Sequence, residues 1–137
     1  MFKRLFGFNV AVKKENFEET VQRWASIFEV EPNYMKSSDF AVPGILGAKL
    51  EIGGSYIHIL AGKNENVSIS QFVAKKGEGL FLVSFEVDDI EAAMKKASKE
   101  SVKFVSETPL TFPKGKANFA HPKSMNGVQV EFLQLGK

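Results

Sequence analysis

The feature that most constrains this chain is an order of periodicities that runs its course and then starts again. Residues 5–12 alternate with period two, Phe6, Phe8, Val10 and Val12 being separated by Gly7, Asn9 and Ala11. That is the pattern of a half-buried strand. Phe17, Val21, Trp24, Ala25 and Phe28 then form one helical stripe. Asn16 as N-cap with Glu19 three residues later predicts its start, and Pro32 its end. Three β-like stretches follow at 40–42, 48–52 and 56–60, the last two joined by Gly53-Gly54, a two-residue hairpin signal. Over 63–78 a connector holds a short helix carrying Ile69, Phe72 and Val73, with Ser68 and Gln71 as its capping pair and Gly77 as its stop. At Leu80 the order begins again. Phe81, Val83, Phe85 and Val87 alternate along a strand, Asp88 or Asp89 caps a helix with Ile90, Ala93, Met94 and Ala97 on one side, and β-like stretches fall at 102–105, 116–120 and 128–133.

The expectation is an α+β fold in one domain, 1–137. Two βαβββ modules, 5–62 and 79–135, are joined by the connector 63–78 and form a curved mixed sheet around a cleft. Each helix must bury its stripe on a sheet, which assigns Phe8, Val10 and Val12, and Val83, Phe85 and Val87, to the helix side. The opposite parity faces away: Gly7, Asn9 and Ala11 in one strand, Leu82, Ser84 and Glu86 in the other. His58 lies between Ile57 and Ile59, and Glu131 between Val130 and Phe132, so both fall on that second face. The polar members expected to line the cleft are Asn9, His58, Ser84, Gln129 and Glu131. A Glu or a His alternating with apolar residues is also the ordinary solvated side of an antiparallel strand.

Composition removes several classes of function. With no cysteine, disulfide scaffolds, thiolate metal sites and Cys nucleophiles are out. Lys+Arg 18 against Asp+Glu 16 leaves +2, too small a charge for a nucleic-acid surface. No apolar run reaches the length of a membrane span, and the basic start Met1-Phe2-Lys3-Arg4 leads into no signal-peptide core. The expectation is a cytoplasmic protein with a small-molecule ligand and neither nucleic acid nor membrane as partner.

Four segments carry a resemblance: 70–79 (SQFVAKKGEG), 85–93 (FEVDDIEAA), 119–124 (FAHPKS) and 127–132 (GVQVEF). With the paired βαβββ order, the sequence resembles the vicinal oxygen chelate superfamily of glyoxalases, bleomycin-resistance proteins and dioxygenases. Within it, the sequence resembles the methylmalonyl-CoA epimerases. The resemblance spans most of the second half and thins in the first to the Asn9–Val12 strand end, the helix and 56–60. It implies a homodimer and a divalent metal held by residues of the first and last strands of each module, with a separate carboxylate moving a proton. Transferred position by position, the ligands of the first and fifth strands fall on Gly7 and Leu82, with Phe81 where a histidine neighbours the latter. The two others fall on His58 and Glu131. The proton-moving carboxylate is expected near Val42, where the nearest acid is Asp39, three residues away.

Neither Gly7 nor Leu82 has a donor, so the implied metal site is reduced to His58 and Glu131, a weak divalent-metal site at most. His121, before Pro122, is on the order of 10 Å along the hairpin from Glu131 and reads as a turn-shaping residue. The first functional expectation is therefore a bleomycin-resistance-like protein that binds a small organic ligand without a tightly held metal or other cofactor. His58 and Glu131 form an acid–base or structural dyad in it, and Asn9, Ser84 and Gln129 contact the ligand. The alternative is an isomerase or lyase acting on an acyl-CoA or similar carbonyl substrate, with Lys114, Lys116 and Lys123 available to phosphates. A regulatory or scaffold module has no positive support, and a ring-cleaving dioxygenase lacks its two His and carboxylate.

Overall fold

The computed structural model describes residues 1–136. Its strands are β1 (Phe2–Ala11), β2 (Asn33–Tyr34), β3 (Ile45–Ile52), β4 (Ser55–Gly62), β5 (Gly79–Val87), β6 (Leu110–Phe112), β7 (Gly115–Ala120) and β8 (Val130–Leu135). Its helices are α1 (Phe17–Phe28), α2 (Ser68–Lys76) and α3 (Ile90–Ser98). The chain thus runs β-α-β-β-β, a helix, then β-α-β-β-β, in the expected order. Two compact units result: Gly7–Phe81, and Met1–Phe6 together with the chain from Leu82.

In the unit Gly7–Phe81 the strand order is β2-β3-β4-β1, with β1 parallel to β4 and the other neighbours antiparallel. Gly53 and Gly54 link β3 to β4 with φ of 57° and 87°. Two successive positive φ values make the tight turn whose twist suits a hairpin, and glycine adopts them without steric cost. Phe17, Val21 and Ala25 of α1 bury against Val10, Val12, Ala48, Leu50, Ile57, Ile59 and Ala61, the predicted parity. Trp24 and Phe8 pack at the edge of this core, Trp24 partly exposed rather than buried beneath the helix.

Four local expectations are corrected here. Asn16 stands at the N-cap position of α1 as expected but makes no side-chain capping bond; its Nδ2 donates to Glu78 Oε2 at 2.9 Å, and the same carboxylate oxygen accepts from the Lys13 backbone N–H at 2.8 Å. The helix ends not at Pro32 but at Glu29, whose left-handed φ of 58° lets its N–H and that of Val30 close onto carbonyls of the last turn. Residues 40–42 form no strand. Lys36, Asp39 and a 3-10 turn at Ser37–Asp39 deliver Phe40 into a third cluster, with Ala11, Leu60, Ile69 and Val73. Likewise α2 begins after Val67 without a side-chain cap from the Ser68 and Gln71 pair, while Gly77 stops it as expected.

In the other unit β5 lies parallel to β8, and β7 and β6 follow antiparallel. Asp89 caps α3, its Oδ1 accepting from Ala92 N–H at 3.1 Å. Ile90, Ala93 and Met94 of that helix pack on Val87, Ala120, Val130 and Phe132. The stretch 102–105 is no strand; it makes one bridge, Phe104 to Ala120, and the module's second strand is β6. His121 starts the turn Pro122–Met125, its Nδ1 accepting from Lys123 N–H at 3.4 Å, which bears out its turn-shaping role.

Candidate functional site

In the unit Gly7–Phe81 three cross-strand rows run over the face turned away from α1. Register places Gly47, Leu60 and Ala11 in one, Lys49, His58 and Asn9 in the next, and Glu51, Tyr56 and Gly7 in the third. Residues directly opposite on adjacent strands share a face. The first row is covered by Ile69 and Val73 of α2, with Met35, Phe40 and Phe81 packed beside them. Gly47 makes that possible, because a Cβ there would lie 2.6 Å from the Phe40 ring.

The second row carries the polar chemistry. His58 and Asn9 are both buried, and His58 Nδ1 lies 3.0 Å from Asn9 Oδ1. With that oxygen as acceptor, Nδ1 holds the ring proton and Nε2 the lone pair. Burial first, then the Lys49 ammonium, push the His58 imidazole down to about 4, with the Asp39 carboxylate opposing them. At neutral pH His58 is an uncharged proton acceptor. In the third row the Tyr56 ring stacks near it, centroids 6.3 Å apart and planes 15° from parallel. The Lys49 Nζ stands 5.1 Å from the Tyr56 centroid, a cation–π contact. Gly7 contributes no side chain and none fits there: a Cβ would sit 1.7 Å from the Tyr56 carbonyl oxygen.

In the other unit, Ser84, Glu131 and Phe119 form a row across β5, β8 and β7 on the face away from α3. Desolvation raises the Glu131 carboxyl to about 7, and the neighbouring Ser84 hydroxyl pulls it down less. Glu131 keeps some solvent contact, so this carboxyl is crowded by protein without being sealed from water. Ser84 Oγ is buried and reaches full hydrogen-bond geometry with no partner among the described residues. A carboxyl half-protonated near neutral pH next to an unsatisfied hydroxyl is suited to taking up or giving a proton. Gln129 precedes β8, and its backbone carbonyl accepts from Val83 N–H at 3.0 Å. Leu82 is buried and has no donor to offer.

Sequence reasoning singled out His58, Asn9, Ser84, Gln129 and Glu131, and the structure sorts them. Asn9 and His58 touch, and Ser84 and Glu131 are register partners. His58 belongs to one unit and Glu131 to the other, each with the neighbours just named. Two charged groups were not singled out as site candidates, although parity places Glu86 on the outward face. Lys49 is the register partner of His58, but no local pattern marks it among the other lysines. Glu86 is a buried carboxylate held by Arg4 Nε at 2.8 Å and Lys3 Nζ at 3.7 Å. The basic start of the chain was the available signal for that cluster.

These donors do not fit a tightly held divalent metal. His58 alone has the form of a ligand, with its other ring nitrogen fixed by Asn9 as in many metal-bound histidines. Among the described residues no three His, Cys, Asp or Glu side chains group closely enough to hold an ion. The position that would supply a further ligand, Gly7, is closed to any side chain.

A family model for the glyoxalase/bleomycin resistance protein/dioxygenase superfamily matches residues 8–121, and the chain belongs to that superfamily. Among relatives, it is 29% identical over 125 residues to the mitochondrial methylmalonyl-CoA epimerase of Dictyostelium discoideum, covering 90% of this chain and 74% of that protein. Among solved structures, it is similar to the methylmalonyl-CoA epimerase of Mycobacterium tuberculosis, with TM-score 0.83, 23% identity, and 97% and 88% of the two chains covered. It is also similar to a variant of the Streptomyces coelicolor enzyme in complex with 2-nitronate-propionyl-CoA, with TM-score 0.86, 21% identity and both chains covered in full. The fold of these epimerase structures is the fold of this chain. No helix among the described residues is long and apolar enough to cross a membrane.

Proposed function

We propose that this protein binds a small organic ligand on the face carrying Asn9 and His58, without a tightly held metal. The observation that carries the reading is the closure of Gly7 against Tyr56, beside a His58 already committed to Asn9. On that face His58 is the acid–base group and Asn9 a ligand contact; in the other unit Glu131 is the acid–base group, with Ser84 and Gln129 as ligand contacts. The protein is cytoplasmic and homodimeric in this reading, the latter being open to light scattering. The test is metal content after gentle purification, followed by a Co²⁺ titration read by absorbance. Absence of a bound-metal band at micromolar Co²⁺ is the expected result. A tightly held metal that is lost in His58→Ala overturns the reading.

A second reading is favoured by Glu131, whose carboxyl titrates near 7, where a proton-transferring group works best. The protein is then an isomerase that moves the α-proton of an acyl-CoA. Similar proteins are named methylmalonyl-CoA epimerases, and one such structure contains methylmalonyl-CoA. Incubation with methylmalonyl-CoA in D₂O, followed by NMR, decides between the readings. Exchange of the α-proton without added metal, lost in Glu131→Gln, selects the isomerase. No exchange leaves the binding protein.

A further inference from the structure

The turn that leads into β8 carries a chemically reactive dipeptide. Of the seven asparagines, Asn126 is the one followed by a glycine, Gly127. Without a Cβ beside it, a glycine nitrogen reaches the preceding side-chain amide with the least steric resistance. Both residues are exposed, and a Cβ at Gly127 would meet nothing within 4 Å, so the surroundings leave room for a ring. The Asn9, Asn16, Asn64 and Asn118 side chains are hydrogen-bonded. That of Asn126 makes no hydrogen bond among the described residues.

The main chain holds this dipeptide back. Asn126 has φ of 59° and ψ of 32°, a left-handed conformation that costs a residue with a Cβ. At that ψ the Gly127 nitrogen lies nearly opposite the Asn126 Cβ across the Cα–C bond, whereas ring closure needs the two on one side. The Gly127 N–H also donates to the Pro122 carbonyl at 2.8 Å. Its neighbours are Ser124 N–H to His121 O at 2.9 Å and Val128 N–H to Met125 O at 3.1 Å. Ser124 adds a side-chain tie, its Oγ donating to His121 O at 2.8 Å and accepting from Lys103 N–H at 3.1 Å. Bonds of this kind at an exposed turn open locally while the core stays folded.

We propose that Asn126 is a self-modification site, at which opening of the turn 122–127 lets the chain convert this asparagine to aspartate and isoaspartate. The Gly127 nitrogen bonds to the Asn126 Cγ and gives up its proton, and ammonia leaves with that proton, closing a five-membered imide. Water then breaks the bond from the nitrogen to either imide carbonyl. One route restores the ordinary main chain with a carboxylate at position 126. The other runs the main chain through the side chain and lengthens it by one carbon. Gln129, whose carbonyl accepts from Val83 N–H at 3.0 Å, lies between this point and β8, so the lengthening falls on the entry to that strand.

The test follows the full chain in H₂¹⁸O at mildly alkaline pH by peptide mass spectrometry, folded and unfolded in urea. Hydrogen exchange of the Gly127 amide is read by NMR at the same pH. Conversion with ¹⁸O incorporated is expected at Asn126 of the folded chain before any other asparagine. It should run about ten- to a hundredfold more slowly than in the unfolded chain. Protection of the Gly127 amide should match that slowing to within about threefold, because one opening frees the nitrogen for both reactions. Ser124→Ala should speed both together. A folded chain that converts as fast as the unfolded one overturns the proposal. So does one that stays intact beyond the time set by the amide protection, one that converts first at another asparagine, or a Ser124→Ala protein in which the two rates part.

Discussion

His58 Nδ1 stands 3.0 Å from Asn9 Oδ1 on the neighbouring parallel strand, and both side chains are buried. The pair fixes which ring nitrogen keeps the proton and leaves the other to accept. Asn9→Asp puts a carboxylate at that distance and favours the imidazolium. The expected outcome is a His58 titration, read from its ring carbons by NMR, well above the parent's value of about 4. Asn9→Leu instead strands the ring N–H, at a cost of about 1–3 kcal/mol in urea unfolding. Unchanged titration in Asn9→Asp would show that the two groups do not interact in solution.

Gly7 fixes the close approach of β1 and β4. With a Cβ placed 1.7 Å from a backbone oxygen, even alanine forces the strands apart. Gly7→Ala should lose roughly 3 kcal/mol or more in urea unfolding, in the range where strained backbone and overpacked cores fall. Gly7→His, which supplies the missing metal donor on paper, should be no less destabilised and should bind Co²⁺ no better than the parent. A stable, cobalt-binding Gly7→His protein would mean that this strand pair yields easily.

The long periodic elements were legible because period alone assigns their faces. Val10 and Val12, or Val130 and Phe132, go to the helix side wherever the strands end. The short elements were not. Residues 40–42 are apolar, but Pro43 lacks an N–H and Gly44 has φ of 82°, so Phe40 buries beside Leu60 instead of joining a ladder. The strand Leu110–Phe112 sits between Pro109 and Pro113, flanks that read as loop until β7 pairs with it. Of the candidate site, the facing of Asn9, His58, Ser84 and Glu131 follows from parity. The partners do not. That His58 lies beside Lys49 depends on the register of β3 and β4, which a two-glycine turn sets and a one-residue slip would change.

Asn118 shows the same limit within the second unit. It is fully buried on the α3 side, and no pattern marked it. Its Nδ2 donates to the Ser106 carbonyl at 2.8 Å, and its Oδ1 accepts from Phe119 N–H at 2.9 Å and Ser106 N–H at 3.3 Å. It ties the segment after α3 to β7. Asn118→Ala removes all three bonds and leaves buried backbone groups without partners, so a loss of about 2–4 kcal/mol is expected in urea unfolding. Hydrogen exchange should quicken most at Ser106 and Phe119. A loss below 1 kcal/mol, by the same reasoning, would mean that water replaces the side chain.

The two perturbed groups oppose one another in their effect on stability. His58 is held down at about 4 against an unfolded value near 6.5. Between those limits the unfolded chain binds the extra proton, so the His58 contribution is full above pH 6.5 and is lost as pH falls towards 4. Glu131 is raised to about 7 from a model value of 4.5. Here the folded chain binds the extra proton, so its contribution is full below pH 4.5 and is lost as pH rises through 7. Each contribution is at most about 3 kcal/mol, and over most of this window they cancel. Urea unfolding at pH 4.5, 5.5 and 7 should therefore show a stability nearly independent of pH in the parent protein. Glu131→Gln leaves the His58 effect alone, and its stability should climb as pH rises. His58→Gln leaves the Glu131 effect alone, and its stability should fall over the same range. Parallel pH profiles for the three proteins would show that neither group is perturbed in solution.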